Sequence, residues 1–167
     1  MNPDYYFTII GAKNVGKTTF INRFVKGTFN NENDDEQVIN FDNIKIHIST
    51  YPNINVDGLT LMFDIHELKT FEYIEKYFEP NKPIVLVGNK SDIKYIEEIN
   101  DECININNDN FINPENRSYV KKWRELQQKK FNIDFYEMSA KSNYNIEKPF
   151  ANLIYKLNIQ KKNISYS

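Results

Sequence analysis

The segment GAKNVGKTTF, from Gly11 to Phe20, constrains the fold most strongly, because its spacing is glycine, four residues, then glycine, lysine and threonine. It follows the β-rich run YYFTII (5–10) and precedes a helical pattern that ends near Gly27. A strand, a glycine loop and a helix in this order turn the first amides of the helix toward an anion. The segment therefore predicts a loop that holds the phosphates of a nucleotide.

The residue types within this loop have separate expected roles. Gly11 and Gly16 let the backbone turn sharply beside the phosphate oxygens, Lys17 neutralises phosphate charge, and the Thr18 hydroxyl coordinates Mg²⁺. Lys13 has two interpretations: a solvated lysine above the loop, or a built-in cation that supports phosphate binding. A glycine loop that no longer binds nucleotide is the alternative to the whole assignment. The predicted phosphate-binding residues are Gly11, Ala12, Lys13, Asn14, Val15, Gly16, Lys17, Thr18 and Thr19.

Short apolar runs alternate with helical patterns along the chain, which predicts an α/β fold with a mostly parallel sheet and helices on both faces. The predicted strands are 5–10, a hairpin at 38–50, two fully buried strands at 59–63 and 84–88, and a last strand at 133–138. Helices are expected at about 18–25, 70–78, 113–130 and 146–157. The lysine-rich end QKKNIS (160–165) is interpreted as a frayed, solvated tail.

The composition predicts one soluble globular domain over residues 1–167, with 40% hydrophobic residues and a formal net charge of −2. The polar, Asn-rich segment at about 93–112 is interpreted as an exposed insertion. Near-neutral charge argues against general binding of nucleic acid. Cys103 is the only cysteine, so no internal disulfide is expected. With no long apolar run, signal peptide or lipidation motif, we expect a monomer without a membrane anchor, in the cytoplasm and/or nucleus.

Two short motifs after predicted strands indicate that the base is guanine. In GNKSD, the Asp92 carboxylate can accept the N1–H and 2-amino hydrogens that guanine has and adenine lacks. Lys90 can lie over the base plane, and Asn89 can tie this segment to the phosphate loop. Each motif is weak alone, but both follow strands in the order that a nucleotide site requires.

The second motif, MSAK, follows the predicted strand at 133–138. The amide of Ala140 can donate to the guanine carbonyl, while Ser139 and Lys141 brace the pocket. Phe29 lies just beyond the first helix and is expected to contact the edge of the base.

Together these motifs resemble those of Ras-superfamily small GTPases, and the segments GKTTFINRF, NKPIVLVGNKSDIK and MSAKSNYNIEKPF are most similar to the Ran branch. The resemblance covers roughly residues 5 to 158, with gaps. It implies the small-GTPase form of the P-loop NTPase fold, with about six mostly parallel strands. It also implies binding of GTP or GDP with Mg²⁺, and partners such as nuclear-transport receptors or GTPase regulators.

The chain departs from that family in the loop before the second strand. Relatives carry a threonine there that closes onto Mg²⁺ when GTP is bound, but no threonine lies between Phe29 and Phe41. The matching position falls near Asp35 or Glu36, where a carboxylate could reach a metal but would repel the γ-phosphate. The acidic segment 32–36 is therefore either a solvated loop or a metal or partner contact.

A second departure removes the family motif Asp-x-x-Gly-Gln, which STYPN (49–53) replaces within one residue. Only INVD separates Asn53 from Gly58, so the helix of the segment called switch II is expected to be missing. We assign no catalytic residue and expect GTP hydrolysis to be slow or lost, with weak nucleotide switching. The alternatives are an active GTPase that uses Lys13, Asn53 or the 93–112 segment, and a P-loop kinase or ATPase that uses Asp64.

Overall fold

The computed structural model describes residues 4–30, 35–41, 44–79, 81–92 and 133–165, with six strands and three helices in those ranges. In chain order they are β1 (Asp4–Ile10), α1 (Lys17–Lys26), β2 (Glu36–Phe41), β3 (Ile44–Ser49), β4 (Gly58–Asp64), α2 (Leu68–Glu75), β5 (Ile84–Asn89), β6 (Asp134–Glu137) and α3 (Lys148–Ser165). The predicted helix at 113–130, the insertion at 93–112 and Cys103 lie outside the described residues. Among the described helices, none has the length and apolar character needed to span a bilayer.

The six strands form one sheet in the order β2-β3-β1-β4-β5-β6. The pair β2–β3 is antiparallel, which confirms the predicted hairpin, and every other neighbouring pair is parallel. Parallel strands bring their carboxyl ends to one edge of the sheet. Consequently the loops that follow β1, β5 and β6, which carry the predicted nucleotide motifs, meet at that edge.

The sheet is covered on both faces, and its strands β4 and β5 have no exposed residue. All seven residues of β4 and all six of β5 are buried, as their continuous apolar runs predict. On one face Phe20 of α1 stacks on Phe150 of α3, with ring centroids 5.1 Å apart. On the other face Phe71 of α2 meets Phe63 edge-on at 5.0 Å. These aromatic contacts fix α1 and α3 on one face and α2 on the other.

Two predicted helices differ from the structure at their ends. The α2 helix begins two residues earlier than predicted and ends at Glu75, because its last turn tightens into bonds between residues three apart, such as Tyr77 N–H to the Ile74 carbonyl. The α3 helix continues to Ser165, so the prediction of a frayed tail at 160–165 is wrong. After Pro149 the helix contains no glycine or proline that would end it.

The connection from β3 to β4, residues 50–57, contains no helix. A crossover between parallel strands ordinarily takes a dozen or more residues, and it usually contains a helix. This connection has only eight residues, which in extended conformation span at most about 28 Å, so it crosses directly from one strand to the other. This connection, residues 50–57, is called the strap below, and it ends beside β1. There the Asp57 amide donates to the Tyr6 carbonyl at 2.9 Å, and the Tyr6 amide donates to Asp57 Oδ2 at 2.8 Å. The short strap leaves the Tyr6 ring half exposed, stacked on His47 with centroids 4.5 Å apart.

Candidate nucleotide-binding site

The phosphate loop, Gly11 to Thr18, joins β1 to α1 in the predicted strand–loop–helix order. Asn14 and Gly16 adopt left-handed conformations, with φ of 65° and 98°, and α1 begins immediately afterwards. At Gly11 a Cβ atom would overlap the carbonyl oxygen of Met62 and the side chain of Val15. The backbone therefore comes close to β4 at a point where only glycine fits.

The Lys17 ammonium lies across this loop. Its Nζ donates to the carbonyl oxygens of Gly11 at 2.9 Å and Ala12 at 2.8 Å. Burial lowers the pKa of Lys17 below its ordinary value, and the nearby negative charge of Asp35 acts in the opposite direction. The ammonium is thus partly desolvated and held in place, as a group that binds an anion should be.

The carboxylate of Asp35 lies against Thr18, the predicted magnesium ligand. Asp35 Oδ1 accepts hydrogen bonds from the Thr18 hydroxyl at 3.3 Å and from the Thr50 hydroxyl at 2.9 Å. The Thr50 amide also donates to the Asp35 carbonyl at 2.8 Å. Of the two acidic positions that the sequence offered here, Asp35 therefore reaches Thr18, while Glu36 begins β2 with an exposed side chain.

Asn89, at the end of β5, connects the phosphate loop to both base motifs. Its side-chain amide donates to the Val15 carbonyl at 2.8 Å, and its Oδ1 accepts from the Ala140 amide at 3.2 Å. Asn89 is 3% exposed, so both bonds are shielded from water. The Ala140 amide, which we expect to face the guanine carbonyl, thus already has an acceptor within the protein.

Asp92 is exposed at the end of the NKSD segment and is held by the SAK segment. The fully buried Ser139 donates its hydroxyl to Asp92 Oδ1 at 2.6 Å, and the Ser139 oxygen accepts from the Ser142 amide at 3.0 Å. The carboxylate is therefore oriented before any base arrives, and Lys141 lies exposed beside it along the chain.

Lys90, which is expected to lie over the base plane, takes part in an ion pair. Its backbone is left-handed, with φ of 67°, and its Nζ lies 2.7 Å from Asp64 Oδ2. Asp64 Oδ1 accepts from the His66 amide at 2.9 Å, and His66 Nε2 lies 3.1 Å from the Lys90 carbonyl oxygen. Both oxygens of Asp64 are thus bound to neighbours near the NKSD segment, which gives no support to Asp64 as the magnesium ligand of a kinase.

Arg23 is a site residue that the sequence did not reveal. Its guanidinium donates to three carbonyl oxygens, those of Ala140 at 2.8 Å, Lys141 at 3.0 Å and Gly27 at 2.8 Å. It also lies 5.7 Å from the ring centroid of Phe29, whose side chain is 53% exposed. An arginine near the end of a helix is ordinarily a favourable surface charge, so nothing local to the sequence distinguished it.

Four further predicted residues are exposed or half-buried. Lys13 and Asn14 are exposed in the turn of the phosphate loop, and the side chain of Thr19 is half-buried in the first turn of α1. Asn53, a candidate for orienting water, is exposed, and its Oδ1 accepts from the Asn55 amide at 2.9 Å. Asn53 therefore closes a local turn in the strap.

The sequence of residues 45–159 matches the family model described as the Ras family. The match covers well over half of the chain and includes both base motifs, while the phosphate loop lies before it and is identified by its own spacing and geometry. Members of this family bind guanine nucleotides, generally with Mg²⁺, and act with regulator or effector proteins. On this match, and with a six-stranded sheet that gathers the loops after β1, β5 and β6 at one edge, the chain belongs to the Ras family of small GTP-binding proteins.

Proposed function

We propose that this protein binds GTP or GDP between the phosphate loop and the two base motifs, and that it hydrolyses GTP slowly or not at all. The observation that carries the binding proposal is the buried Asn89 bridge, which holds Val15 and Ala140 in one unit. A site assembled before the ligand arrives loses less conformational entropy on binding. The nucleotide-contacting residues are those predicted from the sequence, with Arg23 added as a support for the SAK segment and Phe29.

The residues of the site fit a nucleotide and its metal ion. Lys17 offers an ammonium whose present partners are two backbone carbonyls, and phosphate oxygens are stronger acceptors for it. Thr18 and Asp35 offer the hard oxygen donors that Mg²⁺ prefers. Mg²⁺ bound there would neutralise part of the phosphate charge. Asp92, oriented by Ser139, offers the carboxylate that discriminates guanine from adenine.

Slow hydrolysis is supported by the strap that replaces the catalytic segment. Small GTPases orient the attacking water with a glutamine that follows the third strand, and none is present in residues 50–57. Asn53 is engaged in its own turn, and Thr50 is bound to Asp35. A helix-free strap of eight residues also has little freedom to take two positions, so weak switching between the GTP and GDP states is part of the proposal.

The finer assignment to a Ran-like protein rests on the resemblance of the three sequence segments. Nuclear-transport receptors and GTPase regulators are therefore the first partners to test, in the cytoplasm and/or the nucleus, with the protein acting as a monomer. Such partners would meet a surface that is held by nucleotide and changes little when the γ-phosphate is absent.

The test is to release bound nucleotide from the purified protein with acid, identify it by chromatography, and time GTP turnover with Mg²⁺. We expect a guanine nucleotide and negligible turnover, with Lys17→Met and Asp92→Asn each weakening GDP binding. Asp134→Asn is the matched control, because it makes the same change at the amino end of β6, at the opposite edge of the sheet.

Three outcomes would contradict the proposal. Turnover that Lys17→Met abolishes would establish a working GTPase with rearranged catalytic residues. A preference for ATP that survives Asp92→Asn would indicate a different kind of nucleotide enzyme. Absence of any nucleotide binding would mean that the loop has lost its ligand.

A further inference from the structure

Asp35 lies beside Thr18, the expected magnesium ligand, at a distance that suits two ligands of one metal ion. Thr18 Oγ1 and Asp35 Oδ1 are 3.3 Å apart. Mg²⁺ binds its ligands at 2.0–2.1 Å in an octahedron, so two adjacent ligands lie about 2.8–3.0 Å from each other. A shift of a few tenths of an ångström would place both oxygens on one Mg²⁺ ion. Their spacing therefore fits two neighbouring positions of a single octahedral site.

Asp35 is held in this position by Thr50, the residue that follows β3. The Thr50 hydroxyl donates to Oδ1 and the Thr50 amide donates to the Asp35 carbonyl, so the side chain and the backbone are both fixed. Outer hydrogen bonds of this kind orient carboxylate ligands and tune their affinity for metal. The positioning hydroxyl, that of Thr50, thus comes from the residue that follows β3, and the carboxylate comes from the residue before β2.

We propose that Asp35 is a direct ligand of the nucleotide-bound Mg²⁺ together with Thr18, and that Thr50 is the positioning residue for its carboxylate. This inference rests on the proposed nucleotide binding. In the described part of the chain, no group of three or more His, Cys, Asp or Glu side chains could hold a metal by itself. The two protein oxygens must therefore be completed by phosphate oxygens and water, and the metal binds only when nucleotide is present.

As a metal ligand, Asp35 would strengthen nucleotide binding, whereas its charge alone would oppose it. A carboxylate alone beside phosphate would weaken nucleotide binding, whereas a carboxylate on Mg²⁺ strengthens it. The sign of the Asp35 contribution to GDP affinity should therefore reverse with the metal. Removing the charge should help GDP binding in EDTA and harm it in Mg²⁺.

The test measures release of a fluorescent GDP analogue from the full chain at a series of free Mg²⁺ concentrations and in EDTA. In Asp35→Asn the amide oxygen still accepts from Thr18 and Thr50, so the structural hydrogen bonds are kept while the anionic ligand is lost. We expect the Mg²⁺ concentration that half-maximally slows release to increase about 10- to 100-fold. Thr50→Val, which keeps the backbone bond, should shift this midpoint in the same direction by a smaller factor.

Glu36→Gln is the matched control, because it removes an adjacent, exposed negative charge, and its Mg²⁺ midpoint should stay within about twofold of the parent. A direct readout is the electron paramagnetic resonance signal of Mn²⁺ in the presence of GDP. It should report tight binding of Mn²⁺ to the parent protein and loss of that tight binding in Asp35→Asn. An unchanged midpoint in Asp35→Asn, or an equal shift in Glu36→Gln, would overturn the inference. GDP binding that is indifferent to Mg²⁺ in the parent would also overturn it, leaving nucleotide binding intact. Failure to bind GDP even in EDTA would instead contradict the proposed function.

Discussion

Asn89 donates its side-chain amide to the carbonyl oxygen of Val15 across a separation of 74 residues, and this bond joins the phosphate loop to the end of β5. The side-chain oxygen of Asn89, Oδ1, accepts a hydrogen bond from the amide of Ala140, which lies in the SAK segment. One buried side chain therefore fixes the relative positions of all three segments. The stability of the site should depend on it more than on any single contact with the ligand.

Asn89→Ala leaves the Val15 carbonyl and the Ala140 amide without this partner in a buried place. We expect a loss of about 2–3 kcal/mol in the free energy of unfolding, measured by urea denaturation, together with weaker GDP binding. Asn158→Ala, on the exposed side of α3, should change stability by less than about 0.5 kcal/mol. Equal effects of the two substitutions would show that the bridge contributes nothing.

Gly16 and Gly27 form a natural pair for testing the phosphate loop, since both have left-handed backbones, with φ of 98° and 68°. A Cβ at Gly16 would overlap the side-chain amide of Asn89, whereas a Cβ at Gly27 has no atom within 4 Å. Gly27→Ala should cost only the conformational term, about 1 kcal/mol, and keep GDP binding. Gly16→Ala should cost more, because it also displaces Asn89, and GDP binding measured by calorimetry should be lost. A Gly16→Ala protein that binds GDP normally would contradict the geometry.

Arg23 should control how long the nucleotide stays bound, because its three donated bonds hold Ala140, Lys141 and Gly27 together. Arg23→Lys keeps the charge but cannot reproduce the planar fork. We expect it to lose about 1–2 kcal/mol of stability and to release GDP faster, nearly as much as Arg23→Met does. If the lysine variant behaves like the parent, the charge over Phe29 matters and the hydrogen bonds do not.

The lowered pKa of Lys17 predicts a pH dependence of stability in the nucleotide-free protein. Between that lowered pKa and the ordinary value of 10.5, the unfolded chain binds the proton that the folded chain has released, so the free energy of unfolding rises with pH. At pH values below the lowered pKa, Lys17 is charged in both states, and the full free-energy cost of burying its charge lowers the stability of the folded protein. The parent should therefore gain stability relative to Lys17→Met as the pH rises toward 10.5. If the difference in free energy of unfolding between the two proteins is constant with pH, burial does not lower the pKa of Lys17.

The parts of this protein that the sequence determined are those encoded in short stretches of chain. The phosphate loop, the buried strands at 59–63 and 84–88, and the hairpin follow from glycine spacing and from apolar runs whose period reflects local geometry. The absence of a helix from the strap could also be predicted from the sequence, because only INVD separates Asn53 from Gly58 and these residues are too few to form one. The extent of α3 was not, because its last residues are polar and only the absence of a helix-ending residue indicates that the helix continues.

The tertiary structure alone decided which distant residues cooperate. Arg23 reaches the Ala140 carbonyl 117 residues away, and Asp35 meets both Thr18 and Thr50 only because β2 and β3 lie beside α1. The sequence narrowed the acidic position to Asp35 or Glu36. It could not choose between them, because adjacent residues of an extended chain point in opposite directions and only the folded structure shows which of the two faces Thr18. Local periodicity fixes which residues form an element, whereas the register between elements, which depends on packing of the whole core, fixes which side chains share a site.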